Sequence, residues 1–361
     1  MRFYQSIVVV FFLAISLHRS HAQNSRFRNA LLALLQRIRA PPATITTTTP
    51  LPVRIDERTL LNINATLPPL SINNLMAMRE EFARLFTNNS AKVNRYVQMG
   101  FHVCVGGCDG CLNTNDTSNA GLVTHYAELR RMHKRWENVT SLADYAVISF
   151  YEAIRTAVEV ETNMCNVLTR CRINLPFTSG RFSCINPDNP PTPEFPKGDD
   201  ITTPQRMVEE PFGLTEAETV ALMGCHSLGS AHSDISGFNG DWDLTPKVLD
   251  HGYFEALALT DWKQEFVSTA GSHQWSGATR NGKPLMMLHA DIVLQHRITL
   301  RGSRKEASCR TTDRCSKARG TSRVVERFAT DNKEFIQTLG RAIVKMSNTA
   351  SFDPTNRMRF E

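Results

Sequence analysis

Four capped segments of helical period constrain this chain most, because an amphipathic helix must bury its apolar face against other elements. Ser90 precedes a segment in which Val93, Val97, Gly100 and Phe101 lie on one face. Ser141-Leu142-Ala143-Asp144 reads as a capping box opening a helix from Leu142 to about Val158. Thr215-Glu216-Ala217-Glu218 repeats the device and starts a helix running toward Met223. Thr330 caps a last segment with Phe335, Leu339, Ala342, Ile343 and Met346 on one face. The helical pattern begins near Ile63 and strand signals are few, so a mainly α body is expected. The proline-rich stretch from Pro187 to Pro196 reads as loop.

Hydrophobic residues are 41% and charged residues 21% of the 361, which excludes a disordered chain, a collagen and a multi-span membrane protein. The N-terminus points to export. Arg2 supplies a positive start, Ile7 to Leu17 is almost wholly apolar, and Ser20-His21-Ala22 sets small residues before a cleavage point. A signal peptide over 1–22 is therefore expected, with a secreted, extracellular chain from near Gln23. The apolar run is too short for a bilayer-spanning helix, which needs about 18 residues or more. Asn64, Asn88, Asn115 and Asn138 each begin a glycosylation sequon.

In an oxidising compartment most of the nine cysteines should pair. Cys165/Cys171 and Cys309/Cys315 are close enough for local loops. Cys104, Cys108, Cys111 and Cys184 can supply two more bridges, which leaves Cys225 over. The connectivity stays open at this level.

The formal charge of +6 is local and does not by itself imply nucleic acid. Residues 23–55 hold Arg26, Arg28, Arg37, Arg39 and Arg54 without one acid, ending in a Thr/Pro-rich linker. A second cluster, Arg297 to Arg327, sets ten Lys/Arg against Glu306, Asp313 and Glu326. The first reading of such runs is a solvated tail and a solvated loop. The functional one is a hold on an acidic extracellular polymer. The domain expected between and around them spans 56–361.

His102 ends an apolar helical face in Phe101-His102-Val103-Cys104, and His226 follows a strong helix in Met223-Gly224-Cys225-His226. Sixty-five residues on, Met287-Leu288-His289-Ala290-Asp291 sets an acid after an apolar run. Two histidines from separate helices suit opposite faces of a planar metal cofactor, one ligating iron and the other working as acid/base. A buried carboxylate on the ligand's second nitrogen would fix its tautomer and raise its basicity. His232 and His289 read as structural.

The body resembles the non-animal haem peroxidase superfamily, which includes cytochrome c peroxidase, ascorbate peroxidase and the secreted plant peroxidases. The resemblance covers roughly 63–348, with four motifs in order. Ala221 to His232 resembles the proximal signature, which implies haem b with His226 as its axial iron ligand. Trp242 falls where the cytochrome c and ascorbate peroxidase branch carries its proximal tryptophan. Asp291 falls at the aspartate that partners the ligand. Phe101-His102 resembles the distal motif, so His102 is the expected peroxide acid/base. Asn119, in Ser118-Asn119-Ala120-Gly121-Leu122, matches the asparagine that orients it. The fold implied is a haem peroxidase fold, with helices above and below a buried haem, and Phe328 to Met346 resembles the terminal helix.

The departures narrow this reading. Gln98 stands four residues before His102, where the family carries an arginine that stabilises charge on the leaving oxygen; Arg95 lies one turn earlier. Val103 replaces a distal calcium ligand of the plant branch, so no plant-type distal Ca2+ is expected. On the proximal side Ser227 and Asp250 fall at cation-ligand positions and Asp243 and Thr245 match loosely, which implies a monovalent cation or Ca2+. Ile235 replaces a substrate-binding arginine of ascorbate peroxidases, which speaks against ascorbate. Two functions are carried forward. One is a secreted peroxidase using H2O2 to oxidise small reductants. The other is a haem-binding extracellular matrix protein, shell matrix included, with little turnover because of Gln98.

Overall fold

A computed structural model describes residues 67–105, 107–159, 173–186, 197–204, 212–353 and 355–360. The signal peptide, the basic tail and linker, the Asn64 sequon, Cys165, Cys171 and the proline-rich stretch lie outside the described residues.

The mainly α expectation holds. The first half contains α1 (Ile72–Asn88), α2 (Ala91–Val105), α3 (Val123–His133) and α4 (Leu142–Glu159). The second contains α5 (Glu216–Met223), α6 (Gly252–Leu259), α7 (His289–Gln295), α8 (Thr321–Phe328) and α9 (Asn332–Ser347). Helix α1 opens on Ser71, whose side chain accepts from the Asn74 N–H, and buries Leu75, Met78, Phe82 and Phe86 at helical spacing. Helix α2 packs on α4, and α9 packs on α5. Gly100 is needed at the first crossing: a Cβ there would lie 2.2 Å from Phe150 Cγ, so a side chain would force the helices apart.

Two helix starts differ from the sequence reading. The side chain of Asp331, not Thr330, caps α9 by accepting from the Glu334 N–H at 2.8 Å. The Thr330 hydroxyl turns back and donates to the Arg327 carbonyl at 3.0 Å, which closes α8 instead. The segment that resembles the terminal helix, Phe328 to Met346, is thus α9 preceded by a break and the last residue of α8. At α4, Ser141 Oγ accepts from the Asp144 N–H at 3.0 Å, but the Asp144 carboxylate is engaged elsewhere. It pairs with Arg181 at 2.9 Å and accepts from the Gly180 N–H at 2.6 Å, so the Arg181 charge takes it away from a reciprocal cap. Thr215 and Glu218 do close a full box, and Glu218 also holds Lys345 of α9 at 2.7 Å.

A sheet that hydrophobic alternation does not announce follows α6. Strands β1 (Lys263–Val267), β2 (Ser272–Ala278) and β3 (Pro284–Met287) pair antiparallel, with Trp275 opposite both Gln264 and Met287. The buried position of β1 is polar. Gln264 Nε2 donates to the Ala307 and Cys309 carbonyls while its Oε1 accepts from the Ala307 N–H, so burial leaves none of these groups unpaired.

Those bonds reach the basic segment, whose charged side chains are mostly exposed, as a solvated run should be, but whose backbone forms regular structure. Within 297–327, β4 (Leu300–Arg301) and β5 (Glu306–Ala307) form a hairpin and Cys309–Cys315 closes the next loop. Buried His289 joins this hairpin to the sheet. Its Nδ1 accepts from Trp275 Nε1 at 2.9 Å, so its Nε2 donates to the Lys305 carbonyl at 2.8 Å. Cys104–Cys108 and Cys111–Cys184 are also bonded, and Cys225 is the free cysteine among the described residues. No helix among the described residues is long and apolar enough to cross a membrane.

Candidate active site

The last turns of α2 carry Gln98, Phe101 and His102 to one wall of a cavity of about 280 Å³. Asn119 Nδ2 donates to the Asn113 carbonyl at 2.8 Å, which turns Oδ1 toward His102 Nδ1 at 2.6 Å. An amide oxygen only accepts, so Nδ1 carries the proton and the neutral ring holds its lone pair on Nε2. Burial lowers the His102 pKa from 6.5, outweighing the hydrogen bond it donates to Asn119 and the charge of Asp116. The Phe101 ring lies edge-on to the His102 ring. Gln98 shares this wall, and Arg95 Nη1 donates to its Oε1 at 3.4 Å.

The opposite wall is built from sequence-distant pieces. Helix α5 runs into a 3-10 turn, Gly224–Ser227, that presents His226. Gly224 permits this approach, since a Cβ there would meet the Phe254 and Phe335 rings at 2.7 Å. A two-residue ladder, Ser230–Ala231 with Gly240–Asp241, returns the chain so that Trp242 stacks on His226 at 4.7 Å between centroids.

Helix α7 supplies wholly buried Asp291. Its Oδ1 accepts from His226 Nδ1 at 2.8 Å and from the Tyr253 hydroxyl at 2.8 Å. Its Oδ2 accepts from Trp242 Nε1 at 2.9 Å and from the Leu288 N–H at 2.7 Å. Burial alone would raise this carboxyl's pKa, but the His226 charge and these hydrogen bonds hold it below the ordinary value. Burial and the neighbouring Asp291 push the Tyr253 phenol well up, so it stays a proton donor.

Beside the His226 turn is a second polar cluster. The Ser227 hydroxyl donates to Asp243 Oδ2 at 2.5 Å, and the Thr245 hydroxyl donates to Asp250 Oδ2 at 3.0 Å. Ser227, Asp243 and Asp250 are all buried. Burial, reinforced by Asp250, raises the Asp243 pKa to about 7 against the hydrogen bonds from Ser227 and the Thr245 N–H.

The peroxidase family model matches residues 78–331 of the chain, more than half of its length. The chain belongs to the peroxidase family. A mitochondrial cytochrome c peroxidase of Aspergillus fumigatus is 30% identical over 154 residues, 41% of this chain and 34% of its own. That of Neurospora crassa is 27% identical over 187 residues, 51% of this chain and 44% of its own. One from Pyricularia oryzae is 41% identical over 83 residues, 23% of this chain and 22% of its own. The chain thus spans less than half the length of these curated relatives.

The cavity has a lining that fits a haem. Val97, Phe101, Phe150, Leu222, Leu228 and Leu288 line the cavity that His102 and His226 enter from opposite elements. The His226 side chain is 35% exposed while the Asp291 it bonds is fully buried, so its ring is anchored at one nitrogen and open toward the cavity. An apolar cavity with an anchored imidazole suits an apolar macrocycle with a metal at its centre.

The structure brings together His102, Gln98, Asn119 and Phe101 on one wall and His226, Trp242 and Asp291 on the other. Asn88, Asn115 and Asn138 are exposed. Tyr253 and the Arg95–Gln98 contact were missed. Nothing in the α6 sequence distinguishes Tyr253 from the apolar residues around it. The spacing of Arg95 and Gln98, three apart on one helix, was the available signal for their contact.

Proposed function

We propose that this protein is a secreted haem peroxidase that uses H2O2 to oxidise small reductants. The observation that carries the reading is the matched pair of imidazoles. Each has Nδ1 tied to a side-chain oxygen, Asn119 for His102 and Asp291 for His226, and both line one apolar cavity. Bound to His226, haem b would supply an iron and a conjugated ring able between them to take up the two oxidising equivalents of the peroxide.

The chain's own residues handle the protons. His102 Nε2 accepts a proton from one peroxide oxygen and returns it to the other, which leaves as water. Asn119 keeps Nδ1 protonated, so that Nε2 is the basic atom. Gln98 stands where charge develops on the leaving oxygen and offers an amide dipole in place of a guanidinium. Asp291 holds the His226 ring in place and keeps Nε2 electron-rich. Trp242, stacked on that ring, is placed to take part in electron transfer as well as packing. A monovalent cation or Ca2+ among Ser227, Asp243, Thr245 and Asp250 would offset the two buried carboxylates.

Secretion is supported by the N-terminal signal pattern, the sequons and the disulfides. A second reading, a haem-binding matrix protein with little turnover, is favoured by Gln98 and by the exposed Arg297, Arg301, Arg304, Arg314, Arg319 and Arg323. In that reading the basic tail and this surface hold an acidic polymer.

Stopped-flow mixing of the haem-loaded protein with a small excess of H2O2 decides between them. A Soret band that shifts within milliseconds supports the peroxidase. A normal band that stays unchanged, or bleaches only over minutes, overturns it in favour of the matrix protein. Salt-sensitive binding to an acidic polysaccharide, lost when residues 23–55 are removed, would support the tail's role. Equal binding by the truncated chain would remove it.

A further inference from the structure

We infer that Tyr253 is a positioning residue that weakens the pull of Asp291 on His226 and so sets how strongly His226 Nε2 donates to iron. The inference rests on His226 being the axial ligand.

An ionised carboxylate offers about four lone-pair sites. Asp291 meets four donors, two on each oxygen. Oδ2 is shared by Trp242 Nε1 at 2.9 Å and the Leu288 N–H at 2.7 Å. Oδ1 is shared by His226 Nδ1 and the Tyr253 hydroxyl, both at 2.8 Å. The two rings on Oδ1 are 6.2 Å apart and nearly perpendicular, so the phenol reaches past the imidazole edge to the same oxygen. Neighbouring Phe254, stacked edge-on with Phe328 and Phe335, does the packing that α6 needs, and nothing in that packing calls for a hydroxyl at Tyr253.

A proton donated to Oδ1 draws negative charge from the atom that the His226 N–H faces. Less charge on Oδ1 means a weaker His226–Asp291 hydrogen bond, less imidazolate character and a weaker Nε2 donor. With phenylalanine at 253 that oxygen would serve His226 alone. Tyr253 thus damps the electron push that Asp291 would otherwise deliver.

The test compares the full-length haem-loaded protein with its Tyr253→Phe variant, reading the iron–histidine stretch of the ferrous form by resonance Raman and the ferric/ferrous midpoint. The variant is expected to raise the stretching frequency and favour the ferric form by about tenfold, ~59 mV lower. A stretch and midpoint that do not move overturn the inference. Replacing Tyr253 with 3,5-difluorotyrosine, a stronger donor of nearly the same shape, is expected to shift both quantities the other way. Shifts in the same direction as phenylalanine would mean a packing effect and overturn it too. An iron–histidine band that persists in His226→Ala would overturn the ligand assignment itself, a separate failure from that of Tyr253.

Discussion

The Trp242 indole lies 4.7 Å from the His226 imidazole, tilted by 29°, and the two rings donate to opposite oxygens of Asp291. Stack and carboxylate together hold the imidazole on two sides, so its plane and its tautomer are set before any ligand binds. The same principle acts across the cavity, where Asn119 is itself anchored before it anchors His102.

Replacing Asp291 with asparagine removes the charge from this anchor and leaves amide hydrogens facing donors. Haem affinity or the rate of reaction with peroxide is expected to fall by about 10–100-fold. Haem titration followed at the Soret band separates the two effects.

Gln98→Arg restores a charged donor on the distal wall. If the other groups are sound, the second-order rate constant with H2O2 should rise by about 10²-fold. No rise would sink the idea that Gln98 alone limits turnover. Arg95 already sits beside this position, so the comparison should include Gln98→Arg combined with Arg95→Ala.

The peroxide rate should depend on pH through His102, which acts as a base only when neutral. Its pKa is lowered from 6.5 by burial, so the midpoint of the acid limb should lie below pH 6.5, with the rate falling as pH drops through it. Asn119→Val removes the hydrogen bond that favours the protonated ring and should move the acid limb to lower pH. Stopped-flow rates across a pH series check both statements.

Arg181 is fully buried with Asp144, and its Nε donates to the Ser347 carbonyl at 3.0 Å, tying the start of α4 to the end of α9. Arg181→Met strands a buried carboxylate and is expected to cost about 3–5 kcal/mol. Denaturant unfolding measures this, and Arg181→Met with Asp144→Leu should recover part of the loss.

A chelator-treated sample should gain thermal stability on adding Ca2+ or K+ if a cation sits among Ser227, Asp243, Thr245 and Asp250. At a concentration about 100-fold above Kd the gain is ~2.7 kcal/mol. Asp243→Asn should abolish the response, and no response in the parent protein would remove the cation from the site.

Much of the scaffold was legible because it is written locally. Capping residues and apolar spacing act over three or four positions, so α2, α4 and α5 could be read from their own sequences. Misses occurred where local signals compete. Thr330 and Asp331 are both good caps, and the Thr330 hydroxyl goes to the helix behind it. The sheet was hidden because β1 buries Gln264 and leaves Phe266 42% exposed, against the alternation that marks strands.

By itself the sequence singled out the residues proposed to carry chemistry, through motifs whose order and composition are specific: His102, Asn119, His226, Trp242 and Asp291. Only the tertiary structure decided how Asp291 divides its oxygens, because its four donors come from α6, the residue before α7, the His226 turn and the Trp242 return, with up to 65 positions between partners. It also decided the disulfide partners among the described cysteines and the order of the basic hairpin, through Gln264 and His289. Hydrogen-bond sharing depends on which groups meet in space, and spacing along the chain does not encode that for residues so far apart.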